Sequence, residues 1–295
     1  MTILPPLAYL KRIRDYYVAL GYGTPYRWAQ FEDVPFSALR TPLHRATIGI
    51  VTTAAPFQPD KGDQGPGAAY NGSAKFFSVY AMPTAEEPDL RISHIAYDRV
   101  HTTATDQGTY FPLRALRRLE AEGIIGAVAP RFYGLPTNRS QNTTIDVDCV
   151  ALVEMARSDG IDGAILIPNC PVCHQSVSLA ARALEDAGIA TVISGCAKDI
   201  VEHVGVPRFL FNNFPLGNGC GLPGDAASQL EIAHMAMRML VTARGPRATV
   251  HSPFDWNGNA DWQRDYSNAA LLSAAEIARR RAEFDRGKTD ARNAR

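Results

Sequence analysis

The chain has 295 residues, of which 46% are hydrophobic and 20% charged, and its 30 basic side chains are balanced by 30 acidic ones. This balance gives no basic surface for a nucleic acid or an anionic membrane, and no apolar run approaches the ~20 residues that span a bilayer. The first residues lack the apolar core and cleavage site of a secretory signal. We therefore expect a cytoplasmic protein without nucleic-acid or membrane partners.

Strands and helices are predicted to alternate along most of the chain. The predicted strands cover residues 46–57, 90–98, 124–130, 163–167, 190–196 and 208–214. The predicted helices cover residues 7–20, 112–122 and 144–158, a segment that ends at Gly188, and residues 198–204 and 225–243. The polar segment 131–142 is predicted to be a loop. This alternation indicates an α/β fold with a mostly parallel open sheet and helices on both faces, Rossmann-like or doubly wound.

Composition divides the chain into three parts. Residues 1–45 are predicted to be a helix followed by an irregular segment that wraps the main domain. Residues 46–243 are the predicted α/β catalytic domain, which could consist of two lobes, 46–140 and 141–243. Residues 244–295 are a loop, a helix and a charged tail, and the capping-box pair Ser273 and Glu276 marks the start of that helix. The three tryptophans, Trp28, Trp256 and Trp262, are predicted to serve packing.

The cysteines point to chemistry rather than to structural disulfides. Their number, five, is odd, and their spacing matches no disulfide framework. In a cytosolic chain of this size, cysteines of this kind argue for catalysis or metal binding. They are Cys149, Cys170, Cys173, Cys196 and Cys220.

A C-x-x-C sequence, Cys170 to Cys173, lies between the predicted strand 163–167 and the helix that follows it. In open α/β sheets this junction is where ligands bind, and the positive end of the helix dipole favours a thiolate. One thiol could attack a substrate and the other resolve the adduct as a disulfide. Zinc binding is the rival interpretation, with His94, His101, His174 or Cys196 as further ligands. In a third interpretation, both cysteines are buried and purely structural.

Polar residues near other strand ends complete the predicted site. His94 and Asp98, in the second half of the second strand, and His101 and Asp106, after it, could supply a general base or a metal ligand. Arg131, after the third strand, is the predicted anchor for a substrate carboxylate, in the company of Tyr133, Thr137 and Asn138. Thr53, at the carboxyl end of the first strand, and Asn169, beside the first thiol, are predicted to bind substrate.

The loop 215–225 satisfies G-x-G-x-x-G through Gly219, Gly221 and Gly224. No acidic residue follows at the distance that a dinucleotide site requires, and Pro223 interrupts the loop, so no nucleotide cofactor is expected. The backbone N–H groups of Gly219 and Gly221, with the amino end of the helix near Asp225, are instead predicted to hold a small anion.

Several segments, in the same order, resemble the selenoprotein B subunits of the glycine, sarcosine, betaine and D-proline reductases. The sequence PNCPVCHQ is the most specific of these similarities. The similar segments are residues 26–36, 48–55, 92–98, 111–133, 168–194 and 208–221. In many relatives the position that matches Cys170 is selenocysteine, and the resemblance makes Cys170 the attacking atom and Cys173 its resolving partner. It also implies reductive cleavage of a C–N bond. Sulfur replaces selenium here, and fewer histidines follow His94.

The sequence thus predicts a cysteine-dependent enzyme that cleaves a C–N or C–S bond in a small carboxylated substrate. The reaction is either reductase-like or that of a desulfhydrase that releases sulfide from a thiocarbonyl or sulfur heterocycle. The alternative is a zinc-bound or redox-sensing dithiol protein without turnover. Homo-oligomers are compatible with the sequence, and reductase partner subunits are not assured. The predicted catalytic residues are Cys170, Cys173, His174 and His94. The predicted metal ligands are Cys170, Cys173 and His94.

Overall fold

The structure is a computed structural model that describes residues 5–256 and 261–293. The described residues form ten strands: β1 (Thr47–Thr52), β2 (Ala55–Pro56), β3 (Tyr80–Pro83), β4 (Leu90–Arg91), β5 (Ala127–Val128), β6 (Arg131–Gly134), β7 (Gly163–Ile167), β8 (Ala190–Gly195), β9 (Arg208–Phe211) and β10 (Ala248–His251). The α-helices among the described residues are α1 (Tyr9–Ala19), α2 (Leu113–Ala121), α3 (Gln141–Thr143), α4 (Cys149–Ser158), α5 (Pro171–Asp186), α6 (Lys198–Val204), α7 (Ala226–Thr242), α8 (Trp262–Asp265) and α9 (Ala274–Asn293). A π-helical turn, Thr144–Asp148, joins α3 to α4.

The main sheet is open and mostly parallel, which confirms the predicted α/β class. Its strand order is β10-β9-β8-β7-β1-β6-β3, with β5 also paired to β1. Only β3 runs antiparallel to its neighbour, β6. The chain continues from β1 towards β6 on one side and from β7 towards β8 on the other. The crevice at the carboxyl ends of β1 and β7 is therefore the topological switch point, where ligands of such sheets bind.

Helices cover both faces of the sheet because its central strands are apolar on both sides. Every residue of β7 and β8 is buried. One face packs under α4, α5 and α6 and forms one buried cluster, and the other packs under α2 and α7 and forms a second. The helix α5, which begins at the C-x-x-C sequence, lies directly on β8.

Polar side chains fasten the segment after α1 to α5 and β9. The backbone N–H of Ala29 donates to Gln175 Oε1 (2.7 Å), and that of Ser37 donates to Glu185. Glu185 is fully buried with Arg208, at 2.8 Å between Oε1 and Nη1, and Arg208 also donates to the Ser37 carbonyl. A buried charge needs such partners, since an isolated one is costly.

Three element predictions were wrong. Of the predicted strand 90–98, only Leu90–Arg91 is a strand, and it pairs with β2 in a separate two-stranded ribbon. The predicted loop 131–142 begins with β6, whose residues pair with both β1 and β3. Strand β10 lies where a loop was predicted, at the edge of the sheet beside β9. These strands are short and half polar, so tertiary pairing rather than periodicity defines them.

The carboxyl-terminal helix begins as predicted, since Ser273 Oγ accepts from the backbone N–H of Glu276 at 3.2 Å. Part of the predicted loop between residues 251 and 266 and the ends of the chain lie outside the described residues. Among the described residues, no helix has both the length and the apolar character to cross a bilayer. The division into three parts stays a prediction.

Candidate functional site

Cys170 and Cys173 lie where the sequence places them, at the junction of β7 and α5. Cys170 is the N-cap of α5, and its sulfur accepts from the backbone N–H of Cys173 at 3.2 Å. Pro171 occupies the first helical position, where its fixed φ suits a helix start. The two sulfurs are 2.6 Å apart, so disulfide formation would require little movement. All five cysteines are free.

The two thiols have different electrostatic surroundings. Burial raises the pKa of Cys173, but the hydrogen bond with Cys170, the electrostatic influence of His94 and the hydrogen bond with Thr137 outweigh it and bring the pKa well below its usual value. Burial and the neighbouring sulfur raise the pKa of Cys170. These opposite shifts favour a negative charge on Cys173 over one on Cys170. Cys170 is 4% exposed and Cys173 0%, so the charged sulfur lies behind the accessible one.

His94 completes a cluster of three buried side chains. Its ring Nε2 is 3.0 Å from Thr137 Oγ1, which in turn is 3.2 Å from the sulfur of Cys173. The ligand atoms of His94, Cys170 and Cys173 all lie within 4.8 Å of one another. The Nδ1 of His94 has no hydrogen-bond partner among the described residues. The structure thus brings together the three predicted metal ligands and three of the four predicted catalytic residues.

His174 has a structural position rather than the predicted catalytic one. Its Nδ1 is 2.8 Å from the Cys170 carbonyl, and its Nε2 accepts from the backbone N–H groups of Cys196 (2.9 Å) and Ala197 (3.0 Å). Both ring nitrogens are therefore occupied. Burial lowers the pKa of His174 to about 4, which keeps the ring neutral. His174 ties the end of β8 to the thiol loop.

Thr53 and Asn169 hold the junction between β1 and β7 together. The backbone N–H of Thr53 donates to the Ile167 carbonyl (3.3 Å), and its Oγ1 accepts from the backbone N–H of Asn169 (3.1 Å). Both residues are fully buried. The side-chain amide of Asn169 has no partner for either atom among the described residues. A buried unpaired amide is unusual, since such groups are normally satisfied.

A pocket of about 310 Å³ opens above Cys170. Of the five cysteines, all of which lie in the described residues, only Cys170 lines it. Its floor also includes His94, Thr137, Pro171 and Val172. A substrate in this pocket therefore meets the Cys170 sulfur first, with Cys173 behind it.

The pocket walls were largely missed from the sequence. Trp28, predicted to serve packing, lines the pocket edge-on to Tyr26, with ring centroids 5.0 Å apart. Arg139 follows the predicted residues Thr137 and Asn138 by one or two positions but was not singled out. The segment around Tyr26 and Trp28 is among those that resemble the reductase subunits, and this resemblance was the sequence signal that could have indicated a role in the site. The other missed lining residues with rings or basic groups are Tyr17, Tyr70, Lys75, Phe77, Phe284, Lys288 and Arg292.

Arg131 does not reach the pocket. It lies at the amino end of β6, whereas the sequence placed it at the carboxyl end of the preceding strand. Its guanidinium binds Asp159 through Nη2 (2.7 Å) and Nε (3.0 Å). The hydroxyl of Tyr133 donates to the same carboxylate at 2.7 Å. Arg131 was misplaced because the predicted strand ended at residue 130, where β6 is about to begin. The next residues along the chain, past Gly134, lead to the pocket instead.

Three backbone N–H groups of the glycine-rich loop already bind protein oxygens. Its backbone N–H groups at Cys220, Leu222 and Gly224 donate to Thr109, Ser228 and Asp106, respectively. Asp225 Oδ1 accepts from the backbone N–H groups of Ala227 and Ser228, each at 3.1 Å, and so caps α7 itself. Gly219 packs against the end of β8, where an added Cβ would lie 2.8 Å from the Ser194 carbonyl oxygen. Gly221 packs against Gln229 in the same way. Neither glycine lines the thiol pocket.

The remaining candidates form separate structures. Asp98 is buried and binds His101 Nδ1 at 2.9 Å, and neither lines the thiol pocket. Asp106 caps a short turn and binds Gln229. Burial raises the pKa of the Cys196 thiol to about 12 and that of Cys220 well above its usual value. Both sulfurs are buried, and neither lines the thiol pocket.

The fold and site define an open α/β protein with a buried cysteine pair at the carboxyl edge of its sheet. The sequence pattern of the glycine/sarcosine/betaine reductase selenoprotein B family matches residues 11–168. The chain belongs to this family. The matched region includes the aromatic segment near Trp28, β1, His94 and Arg139, and it ends two residues before Cys170.

Curated relatives agree with this assignment. The chain is 27% identical to the D-proline reductase subunit gamma of Acetoanaerobium sticklandii over 182 residues, 61% of this chain and 75% of that protein. It is 26% identical to the glycine reductase complex component B subunit gamma of Carboxydothermus hydrogenoformans over 72% of this chain and 49% of that protein. It is 24% identical to the sarcosine reductase complex component B subunit beta of Peptoclostridium acidaminophilum over 75% of this chain and 51% of that protein. The chain thus spans about half the length of the latter two. No solved structure gave a significant match.

Proposed function

We propose that this chain is a dithiol-dependent enzyme of the reductase type that acts on a small carboxylated substrate in the Cys170 pocket. One observation carries the proposal: the accessible sulfur of Cys170 lies 2.6 Å from the buried sulfur of Cys173 at the sheet's switch point. An attacking thiol with a resolving thiol behind it is the arrangement that dithiol chemistry requires. The relatives are subunits of reductase complexes, which supports the same class of reaction.

The proposed reductive cycle has two displacement steps. Cys170 transfers its proton to Cys173, and its thiolate displaces an amine or sulfide group from a substrate carbon, which forms an S–C bond. Cys173 then loses that proton to the leaving group and attacks the Cys170 sulfur. The S–S bond forms and the S–C bond breaks, and the carbon fragment leaves with the electron pair and takes up a proton from water. The substrate gains two electrons, and the dithiol loses two.

The disulfide must be reduced again before the next turnover. A dithiol protein or another two-electron thiol donor would serve, and partner subunits of a reductase complex would fill this role. Cys173 is fully buried and does not line the pocket, so exchange would begin at the Cys170 sulfur.

A redox-neutral desulfhydrase reaction is the second candidate. The aromatic lining of the pocket supports it, because the flat ring of a sulfur heterocycle would pack well against aromatic side chains. The Cys170 thiolate would add to a thiocarbonyl carbon and expel hydrosulfide. Water would then hydrolyse the resulting thioester-like bond, so that C=S and water give C=O and H₂S. No disulfide forms and no reductant is consumed.

Thiol and sulfide counts separate the two reactions. Reduced protein, without added reductant, is mixed with carboxylated amines such as D-proline and sarcosine and with a carboxylated thiohydantoin. The reductive reaction gives one Cys170–Cys173 disulfide for each product and stops after one turnover. The desulfhydrase reaction gives repeated sulfide release and intact thiols. Cys170→Ser should lose at least about a thousandfold in rate in either case. Full activity in that variant would contradict the proposal.

Metal binding is a further use of the same residues. His94, Cys170 and Cys173 supply one nitrogen and two sulfur donors, which fit a three-ligand zinc site whose fourth position faces the pocket. The unpaired Nδ1 of His94 is consistent with such a role. Metal analysis of untagged protein tests it: one zinc per chain, lost in His94→Ala but retained in His101→Ala, would support the site. A metal-free protein with two titratable thiols would exclude it.

A further inference from the structure

The pocket above Cys170 is lined by an unusual share of rings and cations. Such a lining attracts a negatively charged ligand and offers ring faces and edges against which a flat group packs. The described lining contains no Asp or Glu. The aromatic lining residues are Tyr17, Tyr26, Trp28, Tyr70, Phe77 and Phe284. The basic lining residues are Lys75, Arg139, Lys288 and Arg292.

Arg139 is held by these rings rather than by a carboxylate. Its guanidinium lies over Tyr26, Tyr17 and Phe284, at 5.7, 5.9 and 6.0 Å from the ring centroids. No ion pair among the described residues includes it. Cation–π contacts leave the N–H groups in the plane of the guanidinium available for a carboxylate.

Three separate parts of the chain converge on this region. Tyr26 and Trp28 come from the segment that wraps the sheet, Arg139 from the loop after β6, and Phe284 from α9. The ring pair Tyr26 and Trp28 meets edge to face, which leaves ring surface open towards the pocket. A pocket built from three distant segments is a constructed binding site rather than a gap between two elements.

The size of the pocket also limits its ligand. Its volume of about 310 Å³ would hold roughly ten water molecules at about 30 Å³ each. This is the lower end of the roughly 300–1,000 Å³ range of small-molecule sites. A free amino acid such as glycine or sarcosine would leave most of the aromatic wall in contact with water.

We propose that the pocket recognises a planar anion, an aromatic or heteroaromatic ring that bears a carboxylate. The carboxylate binds Arg139, and the ring packs among Tyr26, Trp28 and Phe284, which brings the ring edge towards Cys170. This proposal rests on the proposed function, because it takes the Cys170 pocket as the substrate site. It differs from the amino acids after which the relatives are named.

Binding calorimetry with three simple probes tests the ligand class without catalysis. Benzoate is planar and charged, benzamide is planar and neutral, and cyclohexanecarboxylate is charged but not planar. A charge-assisted contact should make benzoate bind roughly tenfold or more tightly than benzamide. Loss of ring packing should make cyclohexanecarboxylate bind at least about threefold more weakly than benzoate. Glycine and D-proline should bind more weakly than all three.

Two substitutions assign the preferences to residues. Arg139→Gln should abolish the preference for benzoate over benzamide, and Arg139→Lys, which keeps the charge without the fork, should retain part of it. Trp28→Leu should abolish the preference for benzoate over cyclohexanecarboxylate. Arg118→Gln removes an exposed arginine of α2 outside the lining and is the matched control, with unchanged binding. Thermal melts identify any variant that fails to fold.

The outcome is separable from that of the proposed reaction. All binding measurements are repeated with Cys170→Ser, which cannot react but keeps the pocket. If benzoate and benzamide bind equally, or if glycine binds more tightly than benzoate, the planar-anion proposal is wrong even when Cys170 proves reactive. If the ring preferences hold and Cys170 has no reactivity, the ligand class is supported and the dithiol reaction is contradicted.

Discussion

Two strand-to-helix junctions at the same edge of the sheet differ in what they leave available. At the junction of β7 and α5, a cysteine sulfur caps the helix and also faces a pocket. At the junction of β9 and α7, the carboxylate of Asp225 caps the helix, and the loop N–H groups of Cys220, Leu222 and Gly224 are bonded to protein oxygens. Both junctions have the sequence features of a ligand site, but only the first combines them with an open cavity.

This comparison shows that a helix amino terminus binds an anion only if its donors are free. The orphan N–H groups of a helix must be satisfied, and a side chain from the protein does so as well as a ligand. In the glycine-rich loop the protein has already supplied the oxygen atoms. In the thiol loop, the backbone N–H of Cys173 donates to the Cys170 sulfur, so the capping interaction involves the sulfur that we propose as the nucleophile.

The largest expected effect is in the thiol junction. Cys173→Ala removes the resolving sulfur, so the reductive reaction should stop with the substrate fragment attached to Cys170, and turnover should fall by at least about a hundredfold. Intact-mass spectrometry would show the adduct. Cys220→Ala, in the glycine-rich junction, is the matched control and should show no adduct and a rate within about twofold. Normal turnover of Cys173→Ala without an adduct would remove Cys173 from the reaction, and loss of bound zinc in that variant would favour the metal site.

The second largest effect is expected for His174, whose replacement should lower the free energy of unfolding. His174→Ala leaves the buried backbone N–H groups of Cys196 and Ala197 without an acceptor, at about 1–3 kcal/mol each. We expect a loss of about 2–5 kcal/mol in the free energy of unfolding, measured in urea. A catalytic His174 would instead lose activity at unchanged stability, which is the result that would restore the original prediction.

A smaller effect is expected at the closed junction. Asp225→Ala removes the cap of α7 and should cost about 1 kcal/mol of unfolding free energy, whereas Asp225→Asn, an equally good cap, should cost much less. Ligand binding should not change in either variant, because no part of this loop lines the thiol pocket. A change in probe affinity for Asp225→Ala alone would show that the glycine-rich loop does contact the ligand.

The smallest effect is expected at Arg131. Its side chain is 41% exposed, and its partner Asp159, which is 10% exposed, keeps the hydrogen bond from Tyr133 when Arg131 is replaced, so we expect a loss of about 1 kcal/mol. Arg131→Gln should therefore melt close to the wild type and bind benzoate with unchanged affinity. If Arg131→Gln weakens benzoate binding as much as Arg139→Gln does, the assignment of the anion anchor to Arg139 is wrong.

The sequence determined the central fold and the reactive end of the site. Strand β7 agrees with its predicted bounds, and β8, α6 and α7 lie within a residue of theirs, because their apolar runs are long and are closed by clear start and stop signals. The thiol pair could be placed at a strand–helix junction because Cys170, Pro171 and Cys173 are adjacent in the chain. His94 joined the predicted site only as one of several candidates.

The tertiary structure decided the pocket walls and the fate of the polar candidates. Short strands such as β6 and β10 exist because neighbouring strands pair with them, so no local pattern marked them, and Arg131 was misplaced as a result. Whether His174 or Asp225 meets solvent, protein or ligand depends on atoms far away in the sequence. Arg139 and Trp28 line one cavity because folding brings a wrapping segment, a loop and a terminal helix together. Local periodicity carries no information on such long-range contacts.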